Sequence, residues 1–294
     1  MGVGRHFGTL LAAAVVLLFT AGPVVLTFAA SVIPNRVLFD SKKGLFDEGL
    51  TTETYRYIFT GEVPSSYLQA GANRAMISAA ARQVPRGLWN SLQISLTVMV
   101  VSLVLAAPAA FMYGRYDFPL KTTTFWFILL SPLMPAVALL TPVYMMIDAV
   151  GLLGSKTGII ILHTVKVLPF IVLILSVFFR KMPNEIFEAA MMDGCSRMQS
   201  FGRIAVPLAL PSIAATGLFA FMLSYSEYMY AFVMSGDDTT RPISVVMAAI
   251  AGNFDVSWSL LNTAIFIAIV PTTILVALTW RYVVEDLVRG AVKG

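Results

Sequence analysis

His163 and Lys166 lie three residues apart in the apolar run 158–179, so helical geometry puts both on one face. An ammonium deep in an apolar, membrane-length segment is costly and marks a functional position by default. Two fates are open to it. Lys166 pairs with the carboxylate of Glu227 in the next apolar run or snorkels into a wet cavity, or His163 and Lys166 together line a path for an anionic solute. Glu227 carries the mirror-image choice. Around Glu227 stand Ser224, Tyr225, Ser226, Tyr228 and Tyr230. Aromatic faces beside hydroxyls suit sugar rings, whose faces are apolar and whose edges exchange hydrogen bonds. Tyr230 reads more simply as an interfacial tyrosine near a span end. Asn262 and Tyr144 are weaker candidates.

Other chemistries find little support. No His, Cys and carboxylate cluster has metal-ligand spacing, and one of the two histidines, His6, is terminal. Cys195 is the only cysteine, which rules out an intrachain disulfide. No nucleophile triad is visible. No GxxxxGK[ST] phosphate loop is present, so any ATP-derived energy must come from a partner.

The elements that position these residues are membrane spans. Of 294 residues, 58% are hydrophobic and only 12% charged, against about 25% charged in an ordinary soluble domain. The class is therefore a polytopic, all-α membrane protein, and the net charge of +4 is no sign of nucleic-acid affinity. Six runs are long enough to cross about 30 Å of hydrocarbon at 1.5 Å per residue: 7–32, 89–113, 123–147, 158–179, 212–234 and 258–282. The first is longer than the about 7–15 residues of a signal-peptide core, so an uncleaved span is expected. Pro23, Pro108, Pro132, Pro135, Pro142, Pro169 and Pro271 fall within spans, where neighbouring helices can satisfy the freed carbonyls. They suggest bent helices around a path. Trp258 and Trp280 mark the two ends of the sixth span.

Residues 35–86 form the only long polar stretch, with charges of both signs and interleaved aromatics. A structureless loop of that length is uncommon, so a small, partly helical subdomain is expected, with Thr51 or Thr52 capping a helix at 53–59. Orientation follows from basic residues. One side carries Arg5, Arg115, Lys121, Arg180, Lys181, Arg197, Arg203, Arg281, Arg289 and Lys293, while the opposite short loops carry Lys156 and Arg241. Long loops translocate largely regardless of charge. Both termini and the segment 183–207 are then cytoplasmic, and 35–86 is extracytoplasmic.

The segment 183–207 is a charged island between apolar runs. Pro183 suits the first turn of a helix. Ile186, Ala189, Ala190 and Asp193 share one face, and the paired alanines offer a flat patch to a partner. Gly194 is a natural stop. Ser196 and Gln199 fit a capping box opening a second helix at once, which ends at Pro207. Two short helices joined by a tight turn are expected.

Glu188-Ala189-Ala190, then Gly194, then Ile204-Ala205-Val206-Pro207 resembles the EAA loop of ABC-importer permease subunits, with Val206 where that family has Leu. GLWNSLQISL at 87–96 looks like the start of the family's permease core. Tyr225-Ser226-Glu227 stands where the family has Trp-Asn-Glu. The tail Arg289-Gly290-Ala291-Val292-Lys293-Gly294 is similar to that of maltose-type sugar permeases. The resemblance covers 87–294 well and the first span loosely; 35–86 is longer than the family leads one to expect.

The spans and orientation give a first span at 1–34 and an extracytoplasmic insertion at 35–86, and the resemblance implies a permease core at 87–294 with a cytoplasmic tail at 284–294. It implies docking of 183–207 on cytoplasmic ATPases, with Glu188, Ala189, Ala190, Asp193, Gly194, Ile204, Pro207, Gly290 and Lys293 in that interface. His163, Lys166, Tyr225, Glu227 and Tyr228 are the candidate substrate-path residues. The implied partners are a homologous permease, two ATPase subunits that hold ATP and Mg, a solute-binding protein and membrane lipid. The chain itself holds no cofactor and is not an enzyme. Its cargo is an oligosaccharide, an acidic alginate-like one if His163 and Lys166 face the path, otherwise a neutral sugar or glycerol phosphate. The setting is a bacterial inner membrane. A self-sufficient secondary transporter would show inverted repeats, and none is seen. An intramembrane enzyme has no supporting motif.

Overall fold

The computed structural model describes residues 2–38, 44, 47–63, 79–253 and 257–291, with side chains from residue 8 to residue 280 of that set. Asp40, Lys42, Lys43, Phe46, Tyr67 and Arg74 of the polar stretch, and Lys293 of the tail, lie outside the described residues. Every regular element among the described residues is helical. In order they are α1 (Gly2–Val32), α2 (Glu53–Thr60), α3 (Val84–Arg115), α4 (Lys121–Leu130), α5 (Ala136–Ala149), α6 (Lys156–Arg180), α7 (Asn184–Met192), α8 (Arg197–Leu208), α9 (Leu210–Tyr225), α10 (Met229–Met234), α11 (Ile243–Ala251) and α12 (Trp258–Ala291). Four are long and apolar enough to cross a membrane, or up to six spans result if two bent pairs each count as one.

The span expected at 123–147 is bent, as its prolines suggest, and a second bend precedes the span expected at 212–234. Helices α4 and α5 meet at 101°. Between them lie a tight turn at Ser131–Leu133 and an extended Pro135, because Pro132 and Pro135 each remove an N–H that a continuous helix needs. Helices α8 and α9 meet at 80° around Ala209, and the run beyond α9 breaks again over 226–228. Helix α11 was not foreseen. Its apolar sequence ISVVMAAIA is short and β-branched, a pattern that periodicity alone cannot separate from a strand.

The chain divides into two compact units, residues 1–86 with 246–271, and 87–245 with 272–294. In the first, the last carbonyls of α1 have no helical partners and are met by side chains. Thr54 and Thr263 both donate to Ser31 O at 3.2 Å, and their hydroxyls lie 2.8 Å apart. Ser259 donates to Ile33 O at 2.6 Å, and Thr51 N–H to Val32 O at 2.7 Å. Phe28 rests on Phe266, ring centres 4.9 Å apart. Helix α2 is opened by the Thr51 hydroxyl, which accepts Glu53 N–H at 3.3 Å; the Thr52 hydroxyl makes no capping bond.

The second unit is built on α3, α6 and α9. Val98, Phe111, Ile171, Leu175, Phe179 and Ala220 are fully or almost fully buried in its core. Ala106, Ala110 and Gly114 repeat every fourth residue on α3, the small-residue spacing that lets helices approach closely. At Gly114 the fit is so tight that a Cβ would stand 2.8 Å from Ser176 O of α6.

Candidate functional site

The break over 226–228 leaves the first N–H groups of α10 without helical partners, and in an apolar segment such groups must be satisfied from nearby. The Glu227 carboxylate does this. It accepts Tyr230 N–H at 3.3 Å and Ala231 N–H at 3.1 Å. Lys166 of α6 donates to its Oε1 at 3.2 Å. His163, one turn earlier, brings Nε2 to 3.3 Å from Oε2, close but out of line for a hydrogen bond, while its Nδ1 lies 2.9 Å from Ser224 Oγ. Ser244 of α11 donates to the Glu227 carbonyl at 2.7 Å.

His163 and Lys166 share one face and both reach the Glu227 carboxylate, but their exposure differs. His163 is buried among protein groups, whereas the Lys166 side chain is 41% exposed against 3% for Glu227. Lys166 thus pairs with Glu227 and keeps an open side. Its ammonium also stands 5.6 Å from the ring centre of Tyr230, within cation–π range. Tyr230 is buried, which corrects its reading as an interfacial tyrosine. Tyr225 is half-buried and stacked on Phe221 at 5.3 Å; Tyr228 is exposed and lies against Phe232 at 5.4 Å. Tyr144 is exposed on α5, and the Asn262 amide turns back to Trp258 O at 2.8 Å. Ser244 gave no signal in sequence, because it joins the site only through the fold.

The segment 183–207 forms a second candidate surface. Pro183 precedes α7 in an extended conformation instead of occupying its first turn. Gly194 has φ +82°, and its N–H bonds Met191 O at 3.0 Å while Cys195 N–H bonds Ala190 O at 2.9 Å. This is a Schellman stop, in which glycine takes the left-handed residue at little cost. Ser196 and Gln199 then form a reciprocal capping box. Helix α8 carries a π-helical stretch at Phe201–Ala205 and runs through Pro207 to Leu208. The helix thus ends within one residue of Pro207, as expected.

The alanine patch also needs correction. Glu188, Ala189, Asp193 and Ile186 are exposed, but Ala190 is buried with Phe187. Residues 187 and 190 are three apart and turn inward together. Phe187 enters an aromatic cluster with Phe111, Phe179 and Phe201. Ile204 is half-buried and packs on the same core. Arg115, at the end of α3, lies 4.4 Å over the Phe187 ring and donates to Met182 O at 2.8 Å; Arg197 lies 4.7 Å over Tyr116. These anchors carried no local motif. Gly290 falls on the α12 backbone beyond the described side chains.

Comparison with known proteins places this geometry. The profile of the binding-protein-dependent transport system inner membrane component matches residues 102–290. The trehalose transport system permease protein SugB of Mycobacterium tuberculosis is 28% identical over 274 residues, 92% of each chain. The sulfoquinovosyl glycerol transport system permease protein SmoH of Agrobacterium fabrum is 30% identical over 207 residues, 70% of this chain and 73% of that one. In fold, the chain is similar to one from the crystal structure of a bacterial ABC transporter involved in the import of the acidic polysaccharide alginate. The TM-score is 0.70 at 17% identity, covering 96% of this chain and 98% of that one. The all-helical architecture, the apolar spans and the matched core agree: this chain belongs to the family of binding-protein-dependent transport system inner membrane components.

Proposed function

We propose that this chain is one of two transmembrane subunits of an ATP-driven, binding-protein-dependent carbohydrate importer. The carrying observation is the 183–207 segment. It presents Glu188, Ala189 and Asp193 outward along α7 and its C-cap, while Phe187 of α7 and Phe201 of α8 seat it on the membrane core. Such a body suits transmission of force from an ATPase groove with a basic rim. In this reading α4 with α5 is one bent span and α9 with α10 is another, giving six, while α8 stays with the cytoplasmic segment. Both termini, 183–207 and the tail at 284–294 are cytoplasmic, and 35–86 faces the binding protein. A homologous permease and two ATPases that hold ATP and Mg complete the assembly in a bacterial inner membrane. This chain passes substrate and does not itself hydrolyse nucleotide.

Co-purification from membranes tests the coupling surface. ATPase subunits accompany the wild-type chain and are lost with Glu188→Arg. Wild-type recovery of ATPase with that variant would sink the assignment.

The cargo class rests on SugB-like relatives and on hydroxyl-bearing aromatics at Tyr225 and Tyr228. Glu227 already balances Lys166, so that ion pair carries no net charge. That favours a neutral di- or oligosaccharide. The exposed side of Lys166 supports the second reading, an acidic oligosaccharide of the alginate type. ATPase stimulation in vesicles by binding proteins loaded with either sugar class separates them. Lys166→Gln lowers stimulation by acidic sugar selectively if the second reading holds, and equally for both classes if the first does.

A further inference from the structure

We infer that α3 is the rod that carries movement of the 183–207 segment to the Glu227 break, with Arg115 and Asn90 as the positioning residues at its two ends. The inference rests on the coupling reading above and adds a route to it.

At one end α3 grips both helices of the segment. Arg115 reaches α7 through the Phe187 ring and holds the approach to it through Met182 O at 2.8 Å. Phe111, one turn earlier on α3, contacts Phe187 of α7 at 5.7 Å and Phe201 of α8 at 5.2 Å. Tyr116, the residue after α3, lies under Arg197 of α8. A rigid turn at Gly194 joins the two gripped helices, so they move as one piece.

At the other end α3 holds a different turn. The Asn90 amide donates to Arg241 O at 2.9 Å and Asp238 O at 3.3 Å. Ser91 Oγ accepts Ile243 N–H at 2.8 Å. The next residue, Ser244, donates to the Glu227 carbonyl at 2.7 Å. From Asn90 to Arg115 is roughly 38 Å at about 1.5 Å per helical residue. Between them Ala106, Ala110 and Gly114 leave no slack against the core, and close-packed interiors transmit strain. The alternative rod is α6, which carries Lys166 and leads directly into α7. The two routes differ in one respect: only the α3 route depends on Asn90.

The test uses the complete importer in lipid nanodiscs. With Arg115→Ala and with Asn90→Ala, ATPase subunits co-purify within twofold of wild type. Stimulation of hydrolysis by loaded binding protein falls at least tenfold in each. Arg115→Lys restores part of it, because a cation over Phe187 is kept while the guanidinium's directed bond to Met182 O is lost. Nitroxides at Val104→Cys and Met192→Cys, in a Cys195→Ser background, keep a constant separation through the ATP cycle with Arg115 present and lose it with Arg115→Ala. Full stimulation with Asn90→Ala, or a separation that changes on ATP binding with Arg115 present, overturns the inference. Loss of co-purification with Arg115→Ala also overturns it, since Arg115 would then serve docking. Failure of the underlying reading is distinct: the wild-type chain would retain no ATPase.

Discussion

Lys166 and Glu227 meet at 3.2 Å across two helices, 61 residues apart in sequence, with the carboxylate buried and the ammonium half open. The pair is asymmetric. Glu227 also closes the start of α10, so it has structural work that Lys166 lacks.

Removing Lys166 alone therefore strands a buried carboxylate. Breaking a buried pair by removing one partner costs about 3–5 kcal/mol, reduced here by the exposure of Lys166. Lys166→Met should lower the unfolding temperature in nanodiscs clearly. The double variant Lys166→Met with Glu227→Gln should recover most of the loss, since glutamine still accepts one α10 N–H. A double variant no better than the single one would show that the pair is not the source of the effect.

Ala189 and Ala190 are neighbours with opposite surroundings. Ala189→Trp should abolish ATPase co-purification while leaving thermal stability near wild type, because it fills space outside the chain. Ala190→Trp should instead destabilise the fold, with overpacking costing about 1–3 kcal/mol or more. Equal behaviour in the two assays would contradict the burial pattern.

Two glycines are required for different reasons. Gly194→Ala meets no atom within 4 Å but forces alanine to φ +82°, a penalty of about 1–2 kcal/mol. Gly114→Ala has no such backbone demand but collides with Ser176 O and Phe179 Cβ. Calorimetry should rank Gly114→Ala as the more damaging, since backbone atoms of α6 must move.

Thr54→Val tests the hydroxyl cluster at the end of α1. The substitution keeps shape and removes donation to Ser31 O and contact with the Thr263 hydroxyl. A loss of about 1–3 kcal/mol is expected from leaving buried polar groups short of a partner. It should appear as faster proteolysis within 47–63. Unchanged proteolysis would mean that Thr263 alone satisfies that carbonyl.

Local signals were the ones legible in sequence. The Ser196–Gln199 box and the Gly194 stop need only four or five adjacent residues, and both occur. The basic character of Arg115 and Arg197 was visible too, but only as charge counted for orientation. Their aromatic partners come from elements 72 and 81 residues away, at Phe187 and Tyr116 respectively, in terms of position number. The break at 226–228 was hidden for a related reason. Apolar composition continues across it to Met234, and what starts α10 afresh there is a cap contributed by the Glu227 carboxylate and held by Lys166 of α6. Bends at Pro135 and Ala209 were foreshadowed by proline, yet a proline does not say how far a helix turns.

The separation of Lys166 from Glu227 along the chain sets an order of events in biogenesis. At about 5–20 residues per second, the ribosome delivers the carboxylate on the order of 3–12 s after the ammonium. During that delay α6 carries a cation without its carboxylate partner, at a penalty of up to about 3.5 kcal/mol on insertion scales. The nascent helix must therefore wait beside the insertion machinery, or let Lys166 reach the headgroups, until the next helices arrive. A chain without Glu227 would fail first as a newly made protein awaiting integration, before any defect in transport had a chance to appear.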